Sequence, residues 1–324
     1  MAIALPAHTT LAELAARFGG AVDAGAADLP VTAVAPVDRA EAGELAPFLS
    51  RKKPYLAAAR HSSAALLVEQ SLASLIPEGR RWVHPRASLA LTRLLESVAP
   101  PLPPDARDRA HIDPGADVHP TAVVGPGAVI LAGARVGPRA RIEPNAVIYG
   151  GAVIGPRAVV GAGAVVGRPG FGWTMSEAGD LLRVPQLGGV LVEEDAEVGP
   201  LATIDAGTLA PTVIGRGVKL DAQVHVGHNG VIGAHTIVAA QAGFAGSVTV
   251  EPGVLVGGQA GVADHARIGA GAKLAAKSGV IGDIAPGAVV AGYPAVDRAR
   301  WLRATARSLG ASKKDERGGG DDEG

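Results

Sequence analysis

Three histidines stand close together in the stretch LDAQVHVGHNGVIGAHTIV, which otherwise holds mostly small and aliphatic residues. His225, His228 and His235 could bind a metal ion, act as a base near neutral pH, or simply face solvent. A histidine base needs a group that orients its ring and a donor that stabilises the negative charge formed in the reaction. Choosing among these roles requires knowing where the fold directs each side chain.

A repeat of six residues supplies the fold. An aliphatic residue recurs at every sixth position from Ile112 to Val166, and the pattern resumes at Val192 after a break that begins at Gly167. It slips by four residues in GTLAPT and then runs from Ile214 to Val280, with Phe244 as its one aromatic member. A period of six fits neither a helix nor a lone strand. It fits triangular coils of three short strands, stacked roughly 4.8 Å apart with the aliphatic residue inward.

Other segments flank this predicted rod. The N-terminal part has alternating, strand-like segments and a helix signal in which Thr10 and Glu13 are spaced as a capping box, so we predict a small α+β domain. The predicted order is this domain at residues 1–98, a proline-rich linker at 99–110, the parallel β-helix at 111–292, a helix at 293–310 and a disordered tail at 311–324.

Composition argues against several classes of protein. The formal net charge is -1, which gives no broad basic surface for nucleic acid. Without cysteine there is neither a disulfide framework nor a thiolate zinc site. The first residues do not resemble a signal peptide, and no apolar run reaches the roughly 20 residues of a membrane span. We expect a protein without a transmembrane segment, located in the cytoplasm.

The repeat places none of the three histidines in the inward position. A coil takes 18 residues in this scheme, so Gly246 lies directly above His228, and its N–H could stabilise an oxyanion beside a histidine base. Asp221 precedes His228 by one hexad plus one residue. We expect it on the adjoining edge of the same coil, accepting a hydrogen bond from the other ring nitrogen. His265 follows two coils plus one residue later along the same edge.

A zinc site is the main alternative for these histidines. Trimeric γ-class carbonic anhydrases use such a rod and bind metal with stacked histidines, whereas here Gly243 and Gly253 lie one coil above His225 and His235. No histidine stacks on another, so we expect no metal. His225 and His235 are interpreted as solvated surface residues.

Several stretches resemble the LpxD family, the UDP-3-O-acylglucosamine N-acyltransferases of lipid A synthesis. They are LDAQVHVGHNGVIG, VAAQAGFAGS, GGQAGVADH, SGVIGDIAPGAVVAGYPA, GRPGFGW, TIDAGTLAPTVIG and APFLSRKKPYLAAARHSSAALLV. The resemblance implies a left-handed β-helix, and with it a mainly β protein with an N-terminal α+β domain and a C-terminal helix.

The resemblance also implies an activity: transfer of a 3-hydroxyacyl group from acyl carrier protein to the 2-amino group of UDP-3-O-(3-hydroxyacyl)glucosamine. His228 matches the general base and Asp221 its partner. Gly246 matches the oxyanion donor, and His265 the second active-site histidine. The loop containing Phe171 is expected to border this site.

In the N-terminal domain, Phe48 and Tyr55 match the aromatic positions that hold uracil in the family. Both could instead be core aromatics. The chain departs from the family at Ala222, Ala206 and Arg51, where Asn, Arg and Asn are usual, so the sugar and uracil contacts are the part of the resemblance most in question.

The expected partners are the UDP-sugar, acyl carrier protein and two further copies of the chain in a homotrimer. No permanently bound cofactor is expected, because the acyl donor arrives on the phosphopantetheine of the carrier protein. Arg300, Arg303 and Arg307 would share one helix face, either as a docking surface for the acidic carrier or as solvated residues. Two other functions remain open: a UDP-N-acetylglucosamine O-acyltransferase of the same fold, and a noncatalytic solenoid scaffold.

Overall fold

The computed structural model describes residues 2–6, 9–100, 103–292, 303, 304, 306 and 307. The chain divides into two units, Met1–Leu102 and Pro103–Gly324, so the division falls inside the expected linker. Part of that linker already belongs to the second unit, because the N–H of Ala106 donates to the carbonyl of Val124 over 2.8 Å and Asp105 accepts from the N–H of the same valine.

The first unit is a six-stranded sheet with helices. The sheet has the order β1-β3-β4-β5-β6-β2, in which β3 to β6 are parallel and the two edge strands antiparallel. The predicted capping box opens the first helix, with Thr10 and Glu13 each accepting the other's backbone N–H. The elements are β1 (Ile3–Ala4), α1 (Leu11–Phe18), β2 (Ala21–Val22), β3 (Ala33–Val34), β4 (Glu44–Phe48), α2 (Lys53–His61), β5 (Ala65–Glu69), a 3₁₀ helix (Gln70–Leu75), β6 (Arg81–His84) and α3 (Ala87–Val98).

The second unit is the predicted rod, a left-handed parallel β-helix. Its strands form three parallel sheets of nine, eight and nine strands, one for each face of the triangular coil. After a 3₁₀ helix (Arg107–Arg109) the strands are β7 (His111–Ile112), β8 (Asp117–Val118), β9 (Val123–Val124), β10 (Val129–Ile130), β11 (Arg135–Val136), β12 (Arg141–Ile142), β13 (Val147–Ile148), β14 (Ala152–Ile154), β15 (Val159–Val160), β16 (Val165–Pro169), β17 (Trp173–Met175), β18 (Leu181–Arg183), β19 (Val190–Val192), β20 (Glu197–Val198), β21 (Thr203–Ala206), β22 (Thr212–Ile214), β23 (Lys219–Leu220), β24 (His225–Val226), β25 (Val231–Ile232), β26 (Ile237–Val238), β27 (Gly243–Phe244), β28 (Thr249–Val250), β29 (Leu255–Val256), β30 (Gly261–Val262), β31 (Arg267–Ile268), β32 (Lys273–Leu274), β33 (Gly279–Val280) and β34 (Val289–Val290).

The recurring aliphatic side chains fill the interior of the rod, as the repeat predicted. From Val124 to Val280 they are buried, and the small residue two positions earlier, usually alanine, is buried in the corner. Many turns need a left-handed backbone conformation at the residue three positions after the inward aliphatic one. Glycine occupies this position at some turns, but Asn229, Ser247 and His265 also adopt the conformation, with φ of 60°, 61° and 59°. Backbone hydrogen bonds between successive coils stabilise this otherwise costly conformation.

The two breaks in the repeat are excursions from the rod. The first leaves β16 and forms the antiparallel hairpin β17–β18 before the chain returns in β19. The second lies between β21 and β22. The excursions meet, because the N–H of Leu187 donates to the carbonyl of Thr208 over 3.0 Å and the N–H of Gly188 to that of Gly207 over 2.8 Å.

The expected helix at 293–310 and the tail at 311–324 lie outside the described residues, except that 303, 304, 306 and 307 are helical and exposed. In the described part of the chain, no helix combines the length and apolar character that crossing a bilayer requires.

Candidate active site

Three of the predicted site residues meet at one edge of the rod. Strands β24 and β27 pair in register, so His228 and Gly246 hold the same position of successive turns. Backbone bonds join the coils there: the N–H of Ser247 donates to the carbonyl of His228 over 2.8 Å, and that of His265 to the carbonyl of Gly246 over 3.0 Å. The structure therefore brings His228, Gly246 and His265 together.

The His228 ring lies directly against the backbone of Gly246. A Cβ atom added to Gly246 would stand 2.7 Å from both Cε1 and Nε2 of the ring, closer than real Cβ atoms approach. Gly246 has no left-handed φ, so the neighbouring imidazole, and not the backbone conformation, explains why glycine is needed. Among the described residues its N–H has no acceptor, which leaves that donor free for a ligand beside Nε2.

The ring and the glycine face a cavity of about 450 Å³ in the second unit. Ten residues line it: Phe171, Gly172, Trp173, Val184, Gln186, Thr208, His228, Gly246, Asp264 and His265. Four of them are residues singled out from the sequence. Thr208, Gln186 and Asp264 were not, and the excursions supply the first two.

The first excursion forms an aromatic wall of the cavity. The rings of Phe171 and Trp173 meet edge to face with centroids 6.1 Å apart, and the guanidinium carbon of Arg183 lies 4.5 Å from the Trp173 centroid. The base of the hairpin packs against the candidate catalytic residue, since a Cβ atom on Gly170 would be 2.6 Å from Cβ of His228. The motif GRPGFGW therefore borders the candidate site.

Asn229 determines which nitrogen of His228 carries the proton. Its Oδ1 accepts the N–H of Thr208 over 3.1 Å, and its Nδ2 donates to the carbonyl of Ala210 over 3.2 Å, so these backbone groups fix the orientation of the amide. Nδ1 of His228 lies 3.1 Å from that Oδ1 and must carry hydrogen to bond with it. The neutral ring then keeps its lone pair on Nε2, the nitrogen beside Gly246.

The structure does not bring Asp221 to this ring. One carboxylate oxygen of Asp221 accepts the N–H of Ala222 over 2.7 Å and the other accepts the N–H of Ala240 over 3.1 Å. The expected hydrogen bond to His228 is absent among the described residues of this chain, because Asp221 follows a strand, β23, on a different face of the triangular coil from β24, the strand that precedes His228. Within one chain, Asn229 occupies the orienting position that the sequence assigned to Asp221.

His225 is more constrained than the surface residue expected from the sequence. Its Nδ1 lies 2.7 Å from the hydroxyl of Thr203, and its Nε2 lies 4.0 Å from Oδ2 of Asp205. Asp205 is fully buried and forms an ion pair with Arg168, with Nε and Oδ1 2.8 Å apart. This cluster joins the base of the first excursion to strand β21 and is absent from the cavity lining, so we assign it a structural role.

His235 is exposed at another turn and lies against Gly217, away from the cavity-lining residues. Among the described residues, no three histidine, aspartate or glutamate side chains converge as a metal site would require.

The two aromatic residues expected to hold uracil differ in exposure. Tyr55, in the first turn of α2, is 47% exposed and can offer a ring face to a ligand. Phe48 ends β4 and is 0% exposed, packed among Val37, Ala46 and Val68. A completely buried ring has no face to stack on a base, so the structure corrects the Phe48 prediction and assigns that residue to the core.

Of the three arginines predicted to contact a carrier protein, Arg303 and Arg307 are helical and exposed, and Arg300 lies outside the described residues.

Comparison with known proteins identifies the family. Residues 133–168 match the family model for the bacterial transferase hexapeptide (six repeats). A UDP-3-O-acylglucosamine N-acyltransferase of Burkholderia multivorans is 46% identical over 274 residues, with 74% of this chain and 75% of that protein covered. The chain belongs to the UDP-3-O-acylglucosamine N-acyltransferase family.

Other members of that family match over a shorter length. The UDP-3-O-acylglucosamine N-acyltransferase of Methylobacterium nodulans is 36% identical over 137 residues, and the alignment spans 42% of this chain and only 39% of that relative.

Solved structures share the rod. The UDP-N-acetylglucosamine acyltransferase of Francisella novicida superposes with a TM-score of 0.53 at 22% identity, covering 61% of this chain and 72% of that one. The one from Campylobacter jejuni gives a TM-score of 0.51 at 27% identity, covering 56% and 69%. These neighbours support the left-handed β-helix.

Proposed function

We propose that this protein transfers a 3-hydroxyacyl group from acyl carrier protein to the 2-amino group of UDP-3-O-(3-hydroxyacyl)glucosamine, a step of lipid A biosynthesis. Family membership supports the reaction class. The observation that carries the proposal is the cavity in which the free Nε2 of His228 lies beside the free N–H of Gly246. The reaction needs a base and an oxyanion donor within reach of one carbonyl group.

The mechanism follows from these two groups. The neutral amine attacks the thioester carbonyl carbon while Nε2 of His228 takes a proton from the nitrogen, so that a C–N bond forms and the C=O bond becomes C–O⁻. The N–H of Gly246 donates to that oxygen. The carbonyl then re-forms, the C–S bond breaks, and the leaving sulfur takes the proton from the imidazolium. His265 contributes a second polar side chain close to the thioester.

The sugar nucleotide requires recognition beyond the reacting amine. Phe171 and Trp173 provide an apolar wall at the cavity, and Tyr55 remains the proposed stacking partner for uracil. Asn229 and Thr208 are engaged with each other, with an oxygen–oxygen distance of 2.9 Å, so they shape the wall rather than offer unpaired groups to the ligand.

We also propose a homotrimer that works in the cytoplasm with acyl carrier protein as donor. Strands on the outer faces of the rod expose Val231, Ile237 and Leu255, and a second copy would cover such apolar side chains. Arg303 and Arg307 are the described part of the proposed carrier-docking surface.

Mass spectrometry of a reaction between the protein, UDP-3-O-(3-hydroxyacyl)glucosamine and 3-hydroxyacyl carrier protein tests the function. An N-acylated product and free carrier thiol are expected. The matched acceptor is UDP-N-acetylglucosamine, whose nitrogen is already acylated. Acylation of that sugar alone would favour the O-acyltransferase alternative, and no product with either acceptor would favour a noncatalytic scaffold.

A further inference from the structure

Asp264 is a cavity residue to which neither the sequence nor the proposed chemistry assigns a role. Strands β27 and β30 pair in register, so Asp264 holds the same turn position as Gly246, one coil further along. It lines the cavity beside His265 and is exposed. The edge of the rod therefore presents His228, Gly246 and Asp264 in that order, at intervals of roughly one strand spacing, or about 4.8 Å.

The Asp264 carboxylate has no hydrogen-bond or ion-pair partner among the described residues, unlike Asp221 and Asp205. Both oxygens of Asp221 accept backbone N–H groups, and Asp205 is ion-paired with Arg168. Asp264 forms no side-chain hydrogen bond or ion pair with any described residue, and the described lining of the cavity contains no second carboxylate. A carboxylate at this place is available to accept a hydrogen bond from a ligand.

The order along the edge indicates which part of the substrate meets Asp264. The amine must approach on the His228 side, because Nε2 takes its proton, and the carbonyl oxygen must lie at the N–H of Gly246. The acyl group then continues beyond Gly246 toward Asp264. The atoms that follow the carbonyl carbon are the first two or three carbons of the chain.

An unsubstituted acyl chain is a poor neighbour for that carboxylate. It would strip water from the charge and return no hydrogen bond, which is costly. A hydroxyl group on the third carbon changes this balance, because its O–H can donate to the carboxylate while the chain continues past it. A charge-assisted bond of this kind is stronger than one between neutral groups.

We propose that Asp264 is a specificity-determining residue that accepts a hydrogen bond from the 3-hydroxyl of the acyl donor. The inference rests on the proposed N-acyl transfer and deepens it, since it assigns selection of hydroxylated over unsubstituted acyl chains to one side chain.

The test compares Asp264→Ala and Asp264→Asn with the wild type, using 3-hydroxyacyl and unsubstituted acyl carrier proteins of equal chain length. The wild type is expected to prefer the hydroxylated donor. In Asp264→Ala, kcat/KM for that donor falls about 10- to 100-fold, the usual worth of a hydrogen bond to a charged group, and the value for the unsubstituted donor stays the same or rises. Asp264→Asn, whose amide oxygen still accepts, is expected to fall between. Asp117→Ala removes an exposed carboxylate from a distant coil and should change neither value.

An equal loss with both donors would overturn the inference, since it would mean that Asp264 acts on the amine or on the histidines. Unchanged selectivity in both variants, with melting temperatures like that of the wild type, would overturn it too. Failure of the proposed function looks different, because the wild type would then transfer neither acyl group.

Discussion

Two turns of the rod each place an imidazole against a glycine, yet they differ in almost every other respect. At one, a Cβ on Gly246 would lie 2.7 Å from Nε2 of His228; at the other, a Cβ on Gly217 would lie 2.7 Å from Nδ1 of His235. His228 lies against a glycine of the following coil, and His235 against one of the preceding coil. The first pair lines the cavity of about 450 Å³, and neither His235 nor Gly217 belongs to that lining.

The reason for glycine also differs between the two turns. Gly217 has a left-handed φ of 66°, which the turn itself requires, whereas Gly246 has no such φ and is small because the His228 ring is there. His228 is further held by Asn229 and by the base of the first excursion, whereas His235 is exposed. The stacking of coils thus commonly places a histidine against a glycine. Only the His228–Gly246 pair is a candidate site, because the excursions surround it and Asn229 fixes the proton on Nδ1 of His228.

The largest effect should come from the histidines themselves. We expect His228→Ala to lower kcat by about 10²–10⁴-fold, the usual contribution of a positioned general base, and His265→Ala to fall between that and the wild type. His235→Ala, the matched change at the other turn, should leave kcat unchanged. Steady-state rates at saturating substrate, with melting curves to confirm folding, give the comparison. If His228→Ala kept more than a few per cent of wild-type kcat, the general-base assignment would be wrong.

The next effect should come from filling the space at Gly246. Gly246→Ala forces the His228 ring to move, and a displacement of about 1 Å can cost on the order of 10²-fold in rate. Gly243→Ala is the control, because a Cβ there meets nothing within 4 Å and the residue lies in the same coil. We expect kcat to fall in the first variant only, with little change in melting temperature in either. Wild-type kcat in Gly246→Ala would show that catalysis does not need the ring in this position.

The period of the sequence was sufficient to predict the rod and the stacking of His228, Gly246 and His265. Buried aliphatic residues at a fixed interval leave one register for the coils, so 18 residues advance the chain by one layer wherever no excursion interrupts the repeat. The same arithmetic put Asp221 on the adjoining edge of the coil, where it lies, but the expected hydrogen bond to His228 does not form within one chain, because a step of seven residues passes a corner of the triangle and changes the face.

Residues in the excursions could not be placed this way. Thr208 and Gln186 lie where the repeat is interrupted, so no register connects them to His228, and only the folded chain shows the contact. Asn229 left a weak signal, since it directly follows the candidate base and its type suits both a left-handed turn and a hydrogen bond to a ring. Phe48 was misjudged because an aromatic residue at the end of a strand looks alike in sequence whether it faces the core or a ligand.

A smaller effect on kcat is expected from replacing Asn229, the residue that fixes the tautomer of the His228 ring. Asn229→Gly keeps the left-handed φ and removes all side-chain bonds of Asn229. Of these, the one neutral hydrogen bond to the His228 ring, worth about 0.5–1.5 kcal/mol, corresponds to a fall in kcat of roughly 2- to 10-fold. Asn145→Gly is the control, with the same residue type and a φ of 60° in a distant coil.

Asp221→Ala sharpens the same test. Within one chain its carboxylate holds only backbone N–H groups, so we expect a smaller change in kcat than in Asn229→Gly, with some loss of stability. A loss as large as that of His228→Ala would instead indicate that Asp221 reaches the His228 ring of another copy in the proposed trimer.

The smallest effect on activity should come from Gly217→Ala. The alanine at position 217 must adopt the left-handed φ of the turn, which costs about 1–2 kcal/mol. The melting temperature should therefore fall while kcat stays unchanged. The contact of the new Cβ with the His235 ring should add little, because that ring is exposed and can turn toward solvent. The double variant Gly217→Ala/His235→Ala separates the two causes: backbone strain leaves it as unstable as the single variant, whereas a ring clash would be relieved. Restored stability in the double variant would mean that His235 is held as firmly as His228, and the contrast between the two turns would then rest on the cavity alone.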